Sequence, residues 1–464
     1  MNKSQSKILN NIKSVHLIGI GGIGMSGIAE YLLRKGVSVS GSDINPTFIT
    51  KRLQKLGAKI YNSHNKKNIS QNIQLVVYSS AVKSNNEEYA EAINKNIPLI
   101  RRAEMLGEIV NEKHLISVSG THGKTTTTAI ISKILIDNGF DPTVFVGGNI
   151  DFLEGGSSRI GESKYAVVEA DEYDRSFLTL KSDNIVITNI ECDHTDIYDG
   201  LDDIKNTFKK FCGNAKDESG IIAYGDDDNV REVLQNYSSS EINYYGLERI
   251  NNYKITNIKV SDDYTEFKLN NHNLKLNLLG KHNVLNASAS FIAGFILGIS
   301  PENISTSLES FAGVNRRLQL KYSKEIAVYD DYAHHPTEVK SSFEALKNSV
   351  KGRLITIFQP HLYTRTRDFY NEFSDALKDN DVVILAKLYP ARENEIKGVS
   401  SELILNELKK KTGNEVFYID DFKNIITKLN EIKKDGDTII FQGAGNVTNL
   451  CEDFIKQLNN GSIK

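Results

Sequence analysis

The sequence has few cysteines, little net charge and no long apolar run. Its three cysteines among 464 residues, Cys192, Cys212 and Cys451, are too few and too widely spaced for a disulfide framework or a zinc site. We therefore expect a reducing, cytoplasmic environment. A net charge of −3 gives no electrostatic reason to expect a nucleic acid or an anionic membrane as partner. The apolar stretch 15–33 is interrupted by five glycines and by polar residues, so it predicts no membrane span.

The sequence does contain a regular alternation of β-branched runs and amphipathic segments. This alternation predicts α/β domains with parallel sheets, and the length predicts three domains at about 100 to 200 residues each. The points at which the alternation starts again place the three domains at residues 1–107, 108–316 and 317–464. Short alternating runs over Tyr253–Leu279 predict a small antiparallel set in the central domain. Other predicted strands include Val15–Ile20, His114–Val118, Tyr165–Glu169, Ile185–Ile190 and Leu354–Phe358.

A glycine-rich loop follows the predicted strand His114–Val118 and opens a predicted helix. Gly120 and Gly123 allow backbone amides to face phosphate oxygens, and Lys124 supplies a positive charge for the β- and γ-phosphates. Thr125 places a hydroxyl where Mg²⁺ binds. The loop is shorter than G-x-x-x-x-G-K-[ST], because Val118 stands where the first glycine is usual. A turn that binds nothing is the alternative, but strand, lysine and hydroxyl coincide, so we expect triphosphate contacts from Gly120, Thr121, His122, Gly123, Lys124, Thr125 and Thr126.

A second glycine-rich loop, Gly19–Gly24, lies nearer the N-terminus. It also follows a predicted strand and opens a helix, and Asp43 ends the next strand at about the offset of a dinucleotide fold. The loop predicts a diphosphate at a helix N-terminus, which could belong to NAD(P) or to a UDP-sugar; glycines that only ease packing are the other interpretation. Basic pairs such as Arg101-Arg102 and Arg316-Arg317 indicate ligand-facing or solvent-facing sites.

Acidic residues follow two predicted strands of the central domain. Because ligands bind beyond the carboxyl ends of strands in an open α/β sheet, these residues should face the Lys124 loop. Oxygen ligands suit Mg²⁺, so we assign Glu169, with Thr125, to one ion. An imidazole is tolerated where the ion also holds substrate oxygens, so we assign His194 to a second ion. For Asp171, Glu172 and Asp174, solvation or helix capping is an equal alternative. For His194 the alternative is a hydrogen-bonded structural histidine.

The motifs together resemble the Mur ligase family, the ATP-dependent amide-forming enzymes of peptidoglycan synthesis, and among them the alanine-adding branch. The family's phosphate loop has the short form found at Gly120–Thr125. The matching segments occur in family order over nearly the whole chain: His16–Ser26, Ser117–Thr127, Glu169–Glu172, Thr188–His194, Gly280–Asn283, Asn315–Arg317, Asp330–Pro336, Phe358–His361 and Phe441–Asn446.

The resemblance implies an α/β fold of three domains: an N-terminal Rossmann-like domain that binds a UDP-sugar, a central P-loop ATPase with a small antiparallel sheet, and a C-terminal Rossmann-like domain. It implies ATP as substrate and Mg²⁺, as two ions, as cofactor. The implied partners are UDP-N-acetylmuramate and L-alanine. The implied reaction passes through an acyl phosphate, and the implied assembly is a monomer or a weak homodimer.

The resemblance also implies roles for individual residues. Lys124, Glu169, His194 and Arg317 would be catalytic, with Arg317 on phosphate. Leu362 stands where many members have arginine, which puts one contact to the amino acid in doubt. The UDP-sugar would contact Gly19, Gly21, Gly22, Gly24, Asp43 and Ser79; further ATP contacts would be His282, Asn283, Asn286, Asp331 and His335; and His361 with Arg365 would hold the alanine carboxylate.

Three other functions compete with this interpretation. A recycling ligase that adds a tripeptide is expected to depart from the sequence of Gly19–Gly24, which this chain keeps. An NAD-dependent oxidoreductase would use Gly19–Gly24 but leaves the Lys124 loop unexplained. A non-catalytic nucleotide switch leaves Asn315–Arg317 and Phe358–Arg367 without a task.

Overall fold

A computed structural model describes residues 8–45, 47–153, 156–195, 197–217, 219–238, 241–248, 250–261, 263–347, 350 and 352–461. The chain divides into two compact units. The first contains the chain up to Glu191, Leu201–Lys254 and Ser288–Ser307. The second contains Cys192–Gly200, Ile255–Ala287 and the chain from Leu308 onward.

The N-terminal sheet has five parallel strands in the order β3-β2-β1-β4-β5. Its central strand, β1, has Val15, Leu17 and Ile18 fully buried, together with the polar His16, as expected for a parallel strand covered on both faces. The elements are β1 (Ser14–Ile18), α1 (Ile23–Arg34), β2 (Ser38–Ser42), α2 (Phe48–Lys55), β3 (Lys59–Tyr61), β4 (Leu75–Tyr78), α3 (Glu87–Asn94), β5 (Leu99–Arg101) and α4 (Arg102–Val110).

The central sheet of the first unit has the order β12-β11-β10-β6-β9-β7-β8, with β8 antiparallel to β7. The next strand after β12 begins an antiparallel set of three, β13-β14-β15. The elements are β6 (His114–Ser119), α5 (Lys124–Asp137), β7 (Thr143–Ile150), β8 (Gly156–Arg159), β9 (Tyr165–Glu169), β10 (Asn184–Ile187), α6 (Leu201–Gly213), β11 (Gly220–Tyr224), α7 (Asp228–Leu234), β12 (Ile242–Gly246), β13 (Tyr253–Val260), β14 (Thr265–Leu269), β15 (His272–Leu276), α8 (Lys281–Ile296) and α9 (Pro301–Glu309).

The C-terminal sheet has six strands in the order β16-β17-β21-β18-β19-β20, parallel except for the edge strand β16. Its core is built on buried residues of β18, β19 and β21 such as Ile355, Ile384 and Phe441. The elements are β16 (Gln319–Ser323), β17 (Ala327–Asp331), α10 (Pro336–Lys347), β18 (Leu354–Phe358), α11 (Tyr363–Leu377), β19 (Val382–Ala386), α12 (Ser401–Lys411), β20 (Glu415–Ile419), α13 (Phe422–Ile432), β21 (Thr438–Gln442) and α14 (Val447–Gly461).

The predicted fold class, three α/β regions with a small antiparallel set after the central sheet, is confirmed. The hairpin β7–β8 and the edge strand β16 were not predicted. Across the described residues, no helix combines the length and the apolar character that a membrane crossing requires.

Candidate functional site

The Lys124 loop connects β6 to α5 in a conformation that only glycine adopts easily. Gly120 has a φ of +135° and Gly123, the residue before α5, a φ of +83°. A Cβ atom on Gly120 would lie 2.0 Å from Thr188 Oγ1. The loop therefore packs directly against the segment after β10, and its two glycines meet steric requirements as well as conformational ones.

Lys124 is the first residue of α5 and points back into its own loop. Its Nζ donates to the carbonyl oxygens of Gly120 at 2.6 Å and Thr121 at 3.1 Å, and to the Glu172 carboxylate at 2.8 Å. Burial lowers the pKa of Lys124, but the carboxylates, above all that of Glu172, outweigh it and raise the pKa to about 12. The lysine is therefore a fixed positive charge at the phosphate loop. The sequence left Glu172 open between metal ligation and, as an equal alternative, solvation or helix capping; in the structure its carboxylate pairs with Lys124.

Glu169 ends β9 beside the start of α5. Its carboxylate accepts hydrogen bonds from Thr125 Oγ1 at 3.0 Å and from the Gly147 backbone amide at 2.6 Å. The predicted metal ligands Thr125 and Glu169 are thus adjacent, and a hydroxyl beside a carboxylate is the donor set that Mg²⁺ prefers.

The segment after β10 holds the other side of the loop. Asn189 accepts from the backbone amide of Thr121 at 3.0 Å through its carbonyl oxygen, and from that of His122 at 2.8 Å through Oδ1. Thr126 is buried in the first turn of α5. His194 belongs to the second compact unit, where its φ is +54° and its amide donates to Asp193 Oδ1 at 2.7 Å. Its assignment to a second Mg²⁺ stays a prediction.

The loop Gly19–Gly24 connects β1 to α1 and is held by the neighbouring strand ends. The Ser42 carbonyl accepts from the amides of Gly19 at 2.9 Å and Ile20 at 3.1 Å. Asp43 Oδ2 accepts from the Gly21 amide at 2.9 Å. The structure therefore brings six predicted UDP-sugar residues together: Gly19, Gly21, Gly22 as N-cap of α1, Gly24 in its first turn, Asp43, and Ser79, whose Oγ is 3.3 Å from a Cβ built on Gly19.

A cavity of about 160 Å³ in the first unit is lined at one end by the Gly19–Gly24 loop and at the other by Glu169, which accepts from Thr125 of the Lys124 loop. It begins at Ile23 and Gly24 and reaches Gly147, Glu169 and Asp171. A second cavity of about 160 Å³ is lined by Ser80, Arg101, Asp174 and Arg175, among others. Arg102 lines both cavities. The arrangement places a diphosphate loop and a metal-type carboxylate at the two ends of one space.

In the second unit, the predicted nucleotide residues lie on and beside β17 and α8. Asp331 is buried and accepts from Ser342 Oγ at 2.5 Å and from the Leu318 amide at 3.2 Å. Burial lowers the pKa of His282. Arg317 Nη1 lies 3.8 Å from Glu338, with its guanidinium over Tyr332. Asn283 Nδ2 donates to the Leu279 carbonyl at 2.8 Å, and Asn286 Nδ2 donates to Asn283 Oδ1 at 3.3 Å. The His335 ring is 5.2 Å from that of Phe369.

Arg365 and His361 form a buried cluster with two residues that sequence reasoning did not select. Arg365 Nη2 donates to Asp193 Oδ1 at 2.7 Å, and Arg365 Nη1 lies 3.3 Å from His361 Nδ1. The His334 ring is 5.8 Å from that of His361. Burial raises the pKa of Asp193, but Arg365 and nearby imidazoles hold it well below its usual range.

Burial, which is the largest effect, lowers the pKa of His334 to about 4 and that of His361 to about 3. Both imidazoles are therefore neutral at pH 7. Leu362, where an arginine is common, precedes α11 with a φ of +71° and is buried. Asp193 and His334 each stand next to a predicted site residue, within the matching segments Thr188–His194 and Asp330–Pro336, and these were the sequence signals for them.

Three family models match the chain: "Mur ligase family, catalytic domain" over residues 14–114, "Mur ligase middle domain" over 118–294 and "Mur ligase, glutamate ligase domain" over 316–445. The UDP-N-acetylmuramate–L-alanine ligase of Acetivibrio thermocellus is 42% identical over 456 residues, which cover 96% of each chain. That of Clostridium tetani is 41% identical over 456 residues, covering 97% of this chain and 99% of the relative.

Solved structures show the same likeness. The crystal structure of the UDP-N-acetylmuramate–alanine ligase of Thermotoga maritima aligns with a TM-score of 0.82 and 28% identity, covering 97% of this chain and 99% of that one. A murein peptide ligase from Psychrobacter arcticus aligns with a TM-score of 0.70 and 22% identity, covering 97% and 99%; this second likeness concerns the fold alone.

Proposed function

The chain belongs to the Mur ligase family, and from this premise we propose that it is an ATP-dependent ligase that joins L-alanine to UDP-N-acetylmuramate. The products are UDP-N-acetylmuramoyl-L-alanine, ADP and phosphate. The reaction is a step of peptidoglycan precursor synthesis, and the location that fits it is the cytoplasm. The chain acts as a monomer or a weak homodimer.

The observation that carries this proposal is the cavity from Gly24 to Glu169. A diphosphate at the Gly19–Gly24 loop leaves the attached sugar acid room to extend toward Glu169, beside Thr125 and Lys124. A redox cofactor bound at the first loop has no use for the phosphate loop whose Thr125 donates to Glu169 at the other end. The shared cavity therefore favours a reaction between the two ligands.

The chemistry follows from placing a carboxylate next to a γ-phosphate. A carboxylate is a poor electrophile, so one of its oxygens first attacks the γ-phosphorus while the bond to the ADP oxygen breaks. The alanine amine then attacks the acyl carbon, loses a proton, and expels phosphate, which keeps the former carboxylate oxygen. Lys124, held by Glu172, counters the charge that develops on the transferring phosphoryl group.

The residues beside the phosphate loop fit a magnesium ion. Thr125 Oγ1 and the Glu169 carboxylate supply hard oxygen donors 3.0 Å from each other. A bound Mg²⁺ would neutralise phosphate charge and polarise the γ-phosphoryl group. His194 would hold a second ion.

In the second unit, Arg365 and His361 would bind the alanine carboxylate. Arg365 keeps a buried Nε without a hydrogen-bond partner among the described residues, although its Nη2 is occupied by Asp193. An arginine fork can serve both groups, since its donors point in different directions. Arg317 would contact phosphate, and His282, Asn283, Asn286, Asp331 and His335 would form the nucleotide side.

An incubation with Mg-ATP, UDP-N-acetylmuramate and single amino acids tests the function. Phosphate release should require the sugar nucleotide and should be fastest with L-alanine, compared with glycine, L-serine and the cell-wall tripeptide. Selection against glycine rests on one methyl group, which is worth only about 1 to 3 kcal/mol. Phosphate release that ignores the sugar nucleotide would refute the ligase function, and a preference for the tripeptide would move the chain to the recycling activity.

A further inference from the structure

Arg102 is the charged residue that the two cavities of the first unit share. It is the first residue of α4, directly after β5. The first cavity extends from it toward Glu169, and the second extends toward Ser80 and Asp174. Its partly buried side chain therefore lies between the two spaces.

The Arg102 side chain has no hydrogen bond and no ion pair to any of the described residues. Its neighbours differ: Arg101 pairs with Asp174 at 3.6 Å, and the Glu104 carboxylate accepts from the Arg101 backbone amide at 2.7 Å. Glu169 and Asp171 line the first cavity and Glu104 and Asp174 the second, yet none of them pairs with Arg102. A half-buried guanidinium without a counter-ion, facing two cavities, indicates an anionic ligand.

The guanidinium lies against the first turn of α1. A Cβ atom on Gly24 would be 3.0 Å from Arg102 Nη1 and 3.1 Å from Arg102 Cδ. The first-turn amides of a helix lack intrahelical partners and attract anions, and α1 begins at Ile23. The Gly19–Gly24 loop contains no lysine or arginine of its own. Arg102 supplies the positive charge that this loop lacks.

We propose that Arg102 holds the diphosphate of the sugar nucleotide, clamping it against the N-terminus of α1. The inference rests on the proposed function, because it takes a UDP-sugar as the ligand. The diphosphate is favoured over the lactyl carboxylate because Arg102 contacts Gly24, whereas the carboxylate must reach the γ-phosphate beside Thr125 and Glu169. The guanidinium fork matches two phosphate oxygens at once.

Isothermal titration calorimetry on the full chain with Arg102→Met tests the assignment. The probes are UDP-N-acetylmuramate, UDP-N-acetylglucosamine, which has the diphosphate but no lactyl carboxylate, UDP and UMP. We expect Kd to rise about 10- to 100-fold for the three diphosphates and the ratio of Kd for UMP to Kd for UDP to shrink, since one charge-assisted contact is lost. Arg102→Lys should recover part of the affinity.

Arg159→Met is the matched control, because Arg159 pairs with Asp141 at 2.6 Å and lines neither cavity. Its Kd values should stay within about threefold of the wild type, and ATP binding should persist in all variants as evidence of folding. Weakening of UDP-N-acetylmuramate alone would assign Arg102 to the carboxylate and overturn the proposal, as would unchanged affinity for all probes. If the wild-type chain bound none of the uridine nucleotides, the proposed function itself would fail.

Discussion

The two glycine-rich loops have the same position in their sheets but different charge. Each follows a buried strand, β1 or β6, and each opens a helix, α1 or α5. The second loop has its cation within the motif, since Lys124 is the first residue of α5 and is fixed by Glu172. The first loop has none, and Asp43 binds its Gly21 amide.

This difference corresponds to what each loop has to do. A loop that only binds a diphosphate can take its charge from another element, as we propose for Arg102. A loop that transfers a phosphoryl group needs its charge fixed where the transition state forms, because only preorganised charge lowers the barrier. The comparison predicts that the two loops can be disabled separately.

The largest expected effect comes from Lys124→Met. Loss of the fixed charge should lower the rate of phosphate release by about 10³-fold or more, while the Kd for UDP-N-acetylmuramate stays within about threefold. Steady-state phosphate release and calorimetry on the same preparation measure both. Lys133→Ala is the control, because Lys133 lies on the same helix and its ammonium pairs with Asp137 at 2.9 Å, away from the phosphate loop. Joint loss of activity and UDP-sugar binding would show that the two sites are not separable.

The second effect compares two glycines with positive φ. Gly120→Ala should cost more stability than Gly139→Ala, because a Cβ on Gly120 meets Thr188 Oγ1 at 2.0 Å and a Cβ on Gly139 meets nothing within 4 Å. Left-handed backbone alone costs alanine about 1 to 2 kcal/mol. We expect the overlap at Gly120 to add roughly 1 to 3 kcal/mol and to weaken ATP binding. Equal unfolding free energies by urea titration would contradict the tight packing of the loop.

The third expected effect is the converse of the first, because the change weakens binding at the UDP-sugar loop and leaves the ATP loop intact. Gly24→Leu places a side chain where Arg102 lies 3.0 Å away, so Kd for UDP-N-acetylmuramate should rise about 10- to 100-fold while Kd for ATP is unchanged. Gly213→Leu serves as control, because a Cβ there meets nothing within 4 Å. If Gly24→Leu weakened ATP to the same extent, the two loops would not act independently.

The smallest expected effect is a difference in how the free energy of unfolding depends on pH. Glu88 is fully buried and accepts from Ser42, the residue whose carbonyl holds the first loop. Burial raises the pKa of Glu88, but contacts with His16, Ser42 and Asn68 outweigh this effect and lower the pKa from 4.5 to about 2. A lowered carboxyl pKa stabilises the fold above pH 4.5, and this stabilisation disappears as the pH falls toward 2.

The pKa of Lys124 is shifted in the opposite direction to that of Glu88. Its pKa is raised from 10.5 to about 12, so its contribution is complete below pH 10.5 and disappears as the pH rises to 12. Unfolding free energies measured against pH should therefore show wild type and Glu88→Gln converging in acid, and wild type and Lys124→Met converging in alkali. A pH-independent difference for either variant would mean that the charge of that residue contributes nothing to stability.

The sequence predicted the elements whose signal is local. Tyr165–Glu169 and Leu354–Phe358 are strands over the predicted residues, because buried parallel strands are continuous β-branched runs. The hairpin β7–β8 was missed, since the glycines in and beside it, including Gly147 and Gly156, indicate turns rather than strands.

For the candidate site, the motif residues were accessible to sequence reasoning and their partners were not. The residue spacing in Gly120–Thr125 is enough to predict phosphate binding. The partners are distant in the sequence: the Lys124–Glu172 pair joins residues 48 positions apart, and the Arg365–Asp193 pair joins residues 172 positions apart. In the sequence, Arg102 was recognisable only as one half of a basic pair. Its significance depends on the lack of an ion pair with any described residue, and only the three-dimensional structure shows this.

The most direct test of the account is the fate of the carboxylate oxygen. UDP-N-acetylmuramate labelled with ¹⁸O in both lactyl carboxylate oxygens is incubated with Mg-ATP, L-alanine and the enzyme, and the released phosphate is analysed by mass spectrometry. The account predicts one ¹⁸O atom in each phosphate, because the carboxylate attacks the γ-phosphorus and leaves with it. Unlabelled phosphate would show that the phosphoryl group goes to water, and it would contradict the transfer between the two loops.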